Sequence, residues 1–344
     1  MHPWVRARRM CPWSRVPTDD YEEGLVQPMK PALGRKSIIT LSLLLSVLFS
    51  VATMAQTPPP IRGVYTPGFS ATNSGVLPAP GLTYSNTFLA YSFDQVVGPN
   101  GNTVTRAPSV GVLIDINAFF YVFKKKILGG NFAMAAGLPI SNSSISSVHL
   151  GAVAGGAGFS DSFYQPVTMG WHLNRADIIA AYAFFAPTGR FTPGATNNVG
   201  TGHWTNASTA GETFYLTKNK GTAVSAYQMV EFHTPQTGTN IQAGSTFDLD
   251  YSLTQILPLK KDHSILGQLG LIGYGQWQLT SNSGPTIDPI VAASTHYVVN
   301  SMGVGGNVIL PARHVFLGFK WFNEFANRNT TEGHSFQING AITF

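Results

Sequence analysis

Beyond residue 81, apolar and polar residues alternate along most of the chain with a period of two. In 246–258, Phe247, Leu249, Tyr251, Leu253 and Leu257 alternate with Asp248, Asp250, Ser252 and Thr254. In 265–280, Leu269, Leu271, Trp277 and Leu279 alternate with Gln268, Gly270, Gln276 and Gln278. In 314–326, Val315, Leu317, Phe319, Trp321 and Phe325 alternate with Gly318, Lys320 and Glu324. This period gives a β-strand one apolar and one polar face. Turn residues punctuate the pattern. It predicts twelve strands, at 82–94, 110–123, 131–140, 163–173, 176–186, 204–216, 222–233, 246–258, 265–280, 296–310, 314–326 and 334–344. The third, fifth and sixth alternate poorly, and their limits are loosely fixed.

The final strand is the most informative. Phe336, Ile338, Gly340 and Ile342 share one face, Ser335, Gln337, Asn339, Ala341 and Thr343 share the other, and the chain ends on Phe344. An apolar strand at a terminus frays unless it is tied down. In an outer-membrane barrel that strand closes the cylinder and its apolar face meets lipid. Phe336, Ile338, Ile342 and Phe344 have the form of a membrane-insertion signal, which implies the barrel-assembly machinery and outer-membrane lipid as partners. An even strand number fits an antiparallel barrel, and so do the connections. With both termini periplasmic, the even connections are short (124–130, 174–175, 217–221, 259–264, 311–313) and the odd ones mostly long (95–109, 141–162, 187–203, 234–245, 281–295). The fold class is therefore all-β, a transmembrane antiparallel up-and-down barrel over 82–344. The glycines Gly151, Gly155, Gly156 and Gly158 read as a flexible external loop.

The other end supports the same compartment. Lys30, Arg35 and Lys36 precede an apolar run from Ile38 to Met54 and small residues, which makes 29–55 a secretory signal peptide. Residues 1–28 read as a mis-assigned start or extension. The chain holds 21 basic and 16 acidic residues, but 1–55 carries 7 and 4 of them, leaving a nearly neutral remainder at about +2. The high overall pI thus gives no ground for a nucleic-acid partner. The only cysteine, Cys11, lies in the same leader, so no disulfide framework is expected. Charged residues are 11% of the chain, well under the roughly 25% of soluble domains, as a barrel with a lipid face requires.

The blocks Gln165-Pro-Val-Thr-Met-Gly-Trp-His-Leu173 and Tyr182-Ala-Phe-Phe-Ala-Pro-Thr-Gly-Arg190 are followed by His203-Trp204-Thr205, Ala210-Gly211-Glu212-Thr213 and Gly273-Tyr-Gly-Gln-Trp-Gln278. Together they resemble the bacterial family named for the meta-pathway of phenol degradation, over about residues 63–344. The resemblance implies an outer-membrane barrel for uptake of small hydrophobic, often aromatic, compounds. The family name does not imply an enzymatic activity.

Twelve strands enclose less than the roughly 16–18 that leave an open aqueous channel, so the bore should be narrow or plugged. Residues 56–81 are rich in proline and glycine and form no clear strand. They are either a hatch in the lumen or a periplasmic tail. Asp115, Asp248, Asp250, Lys320 and Glu324, with Asn117, are the lumen-lining candidates. They either set the field in the channel and hold a plug, or pair across strands and stabilise the wall. In the second strand Val110, Val112, Ile114, Ile116 and Ala118 stand opposite Asp115 and Asn117. Arg190 either orders the long third external loop or is an exposed loop residue. No serine, histidine and carboxamide or carboxylate set stands at a spacing that marks a barrel lipase, and no histidine cluster has ligand spacing. No enzymatic activity, cofactor or metal is expected. The expected role is uptake of small hydrophobic molecules, with a general small-solute porin or a structural or adhesive barrel as alternatives.

Overall fold

The computed structural model describes residues 62–147 and 151–344. The leader expectations for 1–28 and 29–55, and residues 56–61 of the following segment, lie outside the described residues. Among the described residues thirteen strands form one antiparallel sheet. They are β1 (Gly81–Val97), β2 (Thr103–Ile127), β3 (Gly130–Ser147), β4 (Gly151–Phe159), β5 (Ser162–His172), β6 (Ala176–Ala186), β7 (Thr205–Tyr215), β8 (Thr222–His233), β9 (Thr246–Pro258), β10 (Leu266–Gln278), β11 (Val298–Leu310), β12 (Val315–Glu324) and β13 (Thr330–Thr343). β4 and β5 follow one another on the same flank of β3, with Ile140 opposite Phe159 and Gly137 opposite Phe163. They act as one stave, and the cylinder is a closed twelve-stranded barrel. Closure is made by β1 and β13, paired from Thr83 opposite Thr343 to Val97 opposite Thr330 with one register shift between Phe93 and Gln95. The Phe344 amide donates to the Leu82 carbonyl at 2.8 Å, which ties down the terminus.

The faces are inverted relative to a water-soluble sandwich. Along β13, Gln337 is 0% exposed while Ile338 beside it is 52% exposed. Along β9, Thr246, Asp248, Asp250, Ser252 and Thr254 are buried, and Leu253 and Leu257 are exposed. Polar side chains fill the interior and apolar ones clothe the outside, the arrangement that lipid demands of a barrel. Phe336 and Phe344 are exposed on that outer side, and Ile342 is half-buried.

Short turns and both barrel ends share one rim. Leu128 and Gly129, both with positive φ, make a two-residue hairpin turn whose twist matches the flanking strands. Pro311–Arg313 form a single 3-10 turn. The opposite rim carries the long connections 187–204, 234–245 and 279–297, the last with a short helix α1 (Pro289–Ser294). The Asp288 carboxylate caps α1 by accepting from the Ile290 amide at 2.8 Å.

Two expected loops are strands. Residues 95–109 continue β1 and open β2 around a turn at 98–102, with Gln95 opposite Arg106. Much of 141–162 belongs to β3, β4 and the start of β5. The glycines expected in a flexible loop lie in β4, where a Cβ on Gly155 would stand 2.2 Å from the Ser143 Oγ. Beyond the hydrocarbon both faces of a strand meet water. Alternation then disappears while the backbone ladder continues, which is why the sequence pattern stopped short.

Candidate functional site

Residues 62–80 thread the lumen from the long-loop rim to the short-turn rim. Their anchors are polar and lie on one half of the wall. At the long-loop end the Arg62 guanidinium grips Glu324, with Nη1 2.8 Å from Oε1 and Nη2 3.1 Å from Oε2. Glu324 also accepts from the Tyr91 hydroxyl at 2.8 Å, the Tyr274 hydroxyl at 3.1 Å and the Gly333 amide at 3.0 Å. Glu231 on β8 accepts from the amides of Val64 at 2.8 Å and Tyr65 at 2.6 Å. Asp250 on β9 accepts from the Tyr65 hydroxyl at 2.6 Å and the amides of Gly68 at 2.8 Å and Ser70 at 2.9 Å. The Lys320 ammonium donates to the carbonyls of Gly68 at 2.8 Å and Phe69 at 2.6 Å. Further along, Asn73 and Gln268 exchange two amide bonds of 3.1 and 3.0 Å.

Carboxylates that receive backbone N–H groups do for this irregular segment what a ladder does for a strand. They satisfy main-chain donors that have no regular partner. Gly68 has φ +80°, and a Cβ there would stand 2.6 Å from the Phe322 ring. Only glycine fits both demands. Apolar contacts complete the hold. Tyr65 stacks on Tyr227 with centroids 5.5 Å apart, Ala71 enters a cluster with Ile272, Tyr274 and Phe322, and Leu77 packs on Val122, Ala133 and Ile179.

On the other half of the wall the segment, apart from Leu77, stands away from the barrel. A cavity of about 470 Å³ remains between it and β2, β3 and β5. Ile114, Ile116, Ala118, Phe120, Ala133, Ala135, Gly137, Pro139 and Phe163 line its wall side, and Val64, Phe69, Val76 and Leu77 line its inner side. Leu77 narrows the short-turn end. At the long-loop end stand Ser160, Asp161 and Thr201. There the buried Asp161 carboxylate accepts from the amides of Gly189 at 3.0 Å and Thr201 at 2.7 Å, pinning the 187–204 connection beside the mouth. His203 is buried in the same connection, where loss of solvation pushes its imidazole below the usual histidine range.

The structure places four of the lumen candidates together and two elsewhere. Asp248, Asp250, Lys320 and Glu324 all face inward and are buried. Asp250, Lys320 and Glu324 hold 62–80, while Asp248 accepts from the Gln276 amide at 2.6 Å. Asp115 and Asn117, by contrast, are on the outer face and are not lumen-lining. In β2 the exposed residues are Leu113, Phe119 and Tyr121, the same parity as Asp115 and Asn117, whereas Ile114, Ile116 and Ala118 turn inward. The Asn86 amide donates to Asp115 Oδ1 at 2.6 Å, the Asn117 amide to Oδ2 at 3.2 Å, and the Tyr84 hydroxyl to Asn117 at 2.6 Å. The lumen behind this strand is apolar, so the rule that charges point inward fails here. A satisfied polar patch faces the membrane instead. Arg190 is exposed and donates to the Asn197 carbonyl at 2.7 Å, within its own loop.

Sequence reasoning missed Glu231, Arg62 and Asp161. Glu231 had the same signal as Asp248, a charge on the inward parity of an extended run. Arg62 is the only charged residue between 56 and 81, and that isolation was the available clue.

The sequence profile described as "Putative MetA-pathway of phenol degradation" matches residues 93–339. The chain belongs to this family. Solved structures resemble this chain at 16% and 10% identity, so the likeness speaks to the fold. An outer membrane channel from Pseudomonas putida F1 superposes with a TM-score of 0.64 at 16% identity, covering 81% of this chain and 100% of that one. The β domain of the Bordetella autotransporter BrkA gives a TM-score of 0.44 at 10% identity, over 77% of this chain and 100% of that one. No curated protein matches by sequence. This family member is a bacterial outer-membrane β-barrel.

Proposed function

We propose that the barrel admits small, uncharged, largely apolar molecules, aromatic compounds among them, through the cavity beside the 62–80 segment. The supporting observation is the asymmetry of the lumen. Its buried charges are engaged by the plugging segment or by wall and loop partners, while the wall side of the free volume is lined mainly by Ile, Ala, Phe and Pro side chains, with Gln165 and Thr168 among them. Largely apolar walls with uncharged polar groups among them suit a molecule that gains by leaving water and carries no charge to desolvate. The family's description and the channel named in Pseudomonas putida F1 point the same way. A general porin would need free charges at an open constriction, and the charges here are occupied.

The test is uptake in cells lacking other hydrophobic channels, comparing wild type with Ala118→Trp. Ala118 is buried on the cavity wall, and the indole would fill the passage. Labelled phenol, toluene and a long-chain fatty acid are run beside a labelled sugar. Wild type should raise uptake of apolar solutes and leave the sugar unchanged, and the variant should lose the gain. Equal gains for the sugar, or full uptake by A118W, refute the reading.

A further inference from the structure

We propose that the barrel wall between β3 and β5 is a lateral portal. Through it the apolar lumen communicates with the hydrocarbon of the outer membrane. This rests on the transport reading above and names its route.

The wall is locally defective on both sides of β5. Across β3, Ala133 faces Thr168 and Ala135 faces Gln165, so β5 has one residue more than its partner over that step. Across β6, Tyr164 faces Phe184 and Val167 faces Tyr182, again with one residue extra on β5. The surplus falls at Pro166, which has no N–H to give to either ladder. Every unpaired main-chain group in lipid is costly, so a double interruption at membrane depth is an unusual feature of a barrel wall.

The side chains leave the same place thin. β3 presents Ala133, Ala135, Ala136 and Gly137 here. Outside the barrel a groove of about 340 Å³ is lined by Leu82, Phe119, Tyr121, Tyr164, Pro166 and Phe184. The inward-facing Phe120 and Ala135 line this groove as well as the lumen cavity, and the outward-facing Met134 and Ala136 line the cavity as well as the groove. One layer of main chain, with the side chains of Phe120, Met134, Ala135 and Ala136, separates the two volumes. Meanwhile Leu77, packed on Val122, Ala133 and Ile179, narrows the way to the short-turn rim. An apolar solute in the cavity therefore meets less resistance sideways, into hydrocarbon that solvates it, than downward into water.

The experiment staples the seam. Ala136 and Tyr164 stand opposite each other on the outer face, so Ala136→Cys with Tyr164→Cys can form a bond across β3 and β5 without narrowing the lumen. Ala180→Cys with Ala210→Cys staples β6 to β7 on the outer face as the control. Cells expressing each full-length protein are given N-phenyl-1-naphthylamine, which fluoresces on reaching hydrocarbon, under oxidising and then reducing conditions. The proposal expects the seam staple to lower the rate to that of cells without the protein, reductant to restore it, and the control staple to leave it unchanged. Ala136→Trp, which fills the groove, should lower the rate in either redox state. It covers the case in which the staple fails to form. Wild-type transfer by both the stapled protein and A136W, with A118W still inactive, overturns the portal and leaves transport through the cavity standing. No transfer by wild type refutes the transport reading, and the portal with it.

Discussion

Replacing Arg62 with alanine removes the cation that clamps the plugging segment at the long-loop rim. The Glu324 carboxylate facing it is fully buried, and the guanidinium itself is only 22% exposed. Removing one partner of a buried ion pair costs about 3–5 kcal/mol, because the other charge is left without compensation. Glu324 keeps donors from Tyr91, Tyr274, Asn327 and Gly333, so the lower end of that range applies. A loss of about 3 kcal/mol shifts the balance between seated and released segment roughly a hundredfold toward release. Single-channel recording in planar bilayers reads this directly. Wild type should dwell in a low-conductance state, and R62A should spend a far larger share of time in a high-conductance state. Glu324→Gln in the R62A background removes the stranded charge and should recover part of the wild-type dwell, as a double-mutant cycle requires of coupled residues. Identical conductance histograms for wild type and R62A, with both proteins folded, would show that this pair does not hold the segment.

Asp115→Asn keeps an acceptor for Asn86 but removes a charge from the lipid-facing side of β2. It should leave ion selectivity unchanged and raise stability to urea by about 1 kcal/mol; a selectivity shift would return Asp115 to the lumen. His203 carries a pKa lowered by burial, so the unfolded chain binds its proton more readily than the folded one. Its contribution is full above the unfolded value of about 6.5 and is lost as pH falls below it, so limited proteolysis of the 187–204 connection should quicken as pH falls below about 6.5. His203→Asn should flatten that dependence, and an unchanged profile would exclude His203 as its source.

Period-two alternation reports side-chain orientation only where the two environments differ. It did so for β9, β10, β12 and β13, because the lumen behind them is packed with Asp250, Gln268, Lys320 and Gln337. Strand β9 has the bounds that the pattern predicts, and β6 and β8 match theirs as well, although β6 alternates poorly and its limits came from the flanking turn residues. Behind β2 the lumen is lined largely by apolar side chains, so both faces carry greasy residues and the charge was assigned to the wrong one. The course of 62–80 left no periodic trace at all. Its position is fixed by backbone amides meeting Glu231 and Asp250 from strands more than 160 residues away. A single arginine in a neutral, proline-rich stretch was its one legible sign.

The two failures of the pattern have a common physical cause. A segment without regular structure can be buried only where the wall supplies acceptors and donors for its main chain, so the charges that receive this one collect on β8, β9 and β12. The opposite wall, relieved of that duty, is free to be apolar on its inner face and small in its side chains. There β2 turns its carboxylate outward, β3 becomes a run of alanines and β5 tolerates a proline at a bulge. Polar anchoring on one side and a thin apolar passage on the other are therefore one arrangement. A carboxylate introduced at Ala135, facing the cavity, would have neither plug amide nor neighbouring cation to meet it, and the same reasoning that explains Asp250 explains why no charge stands there.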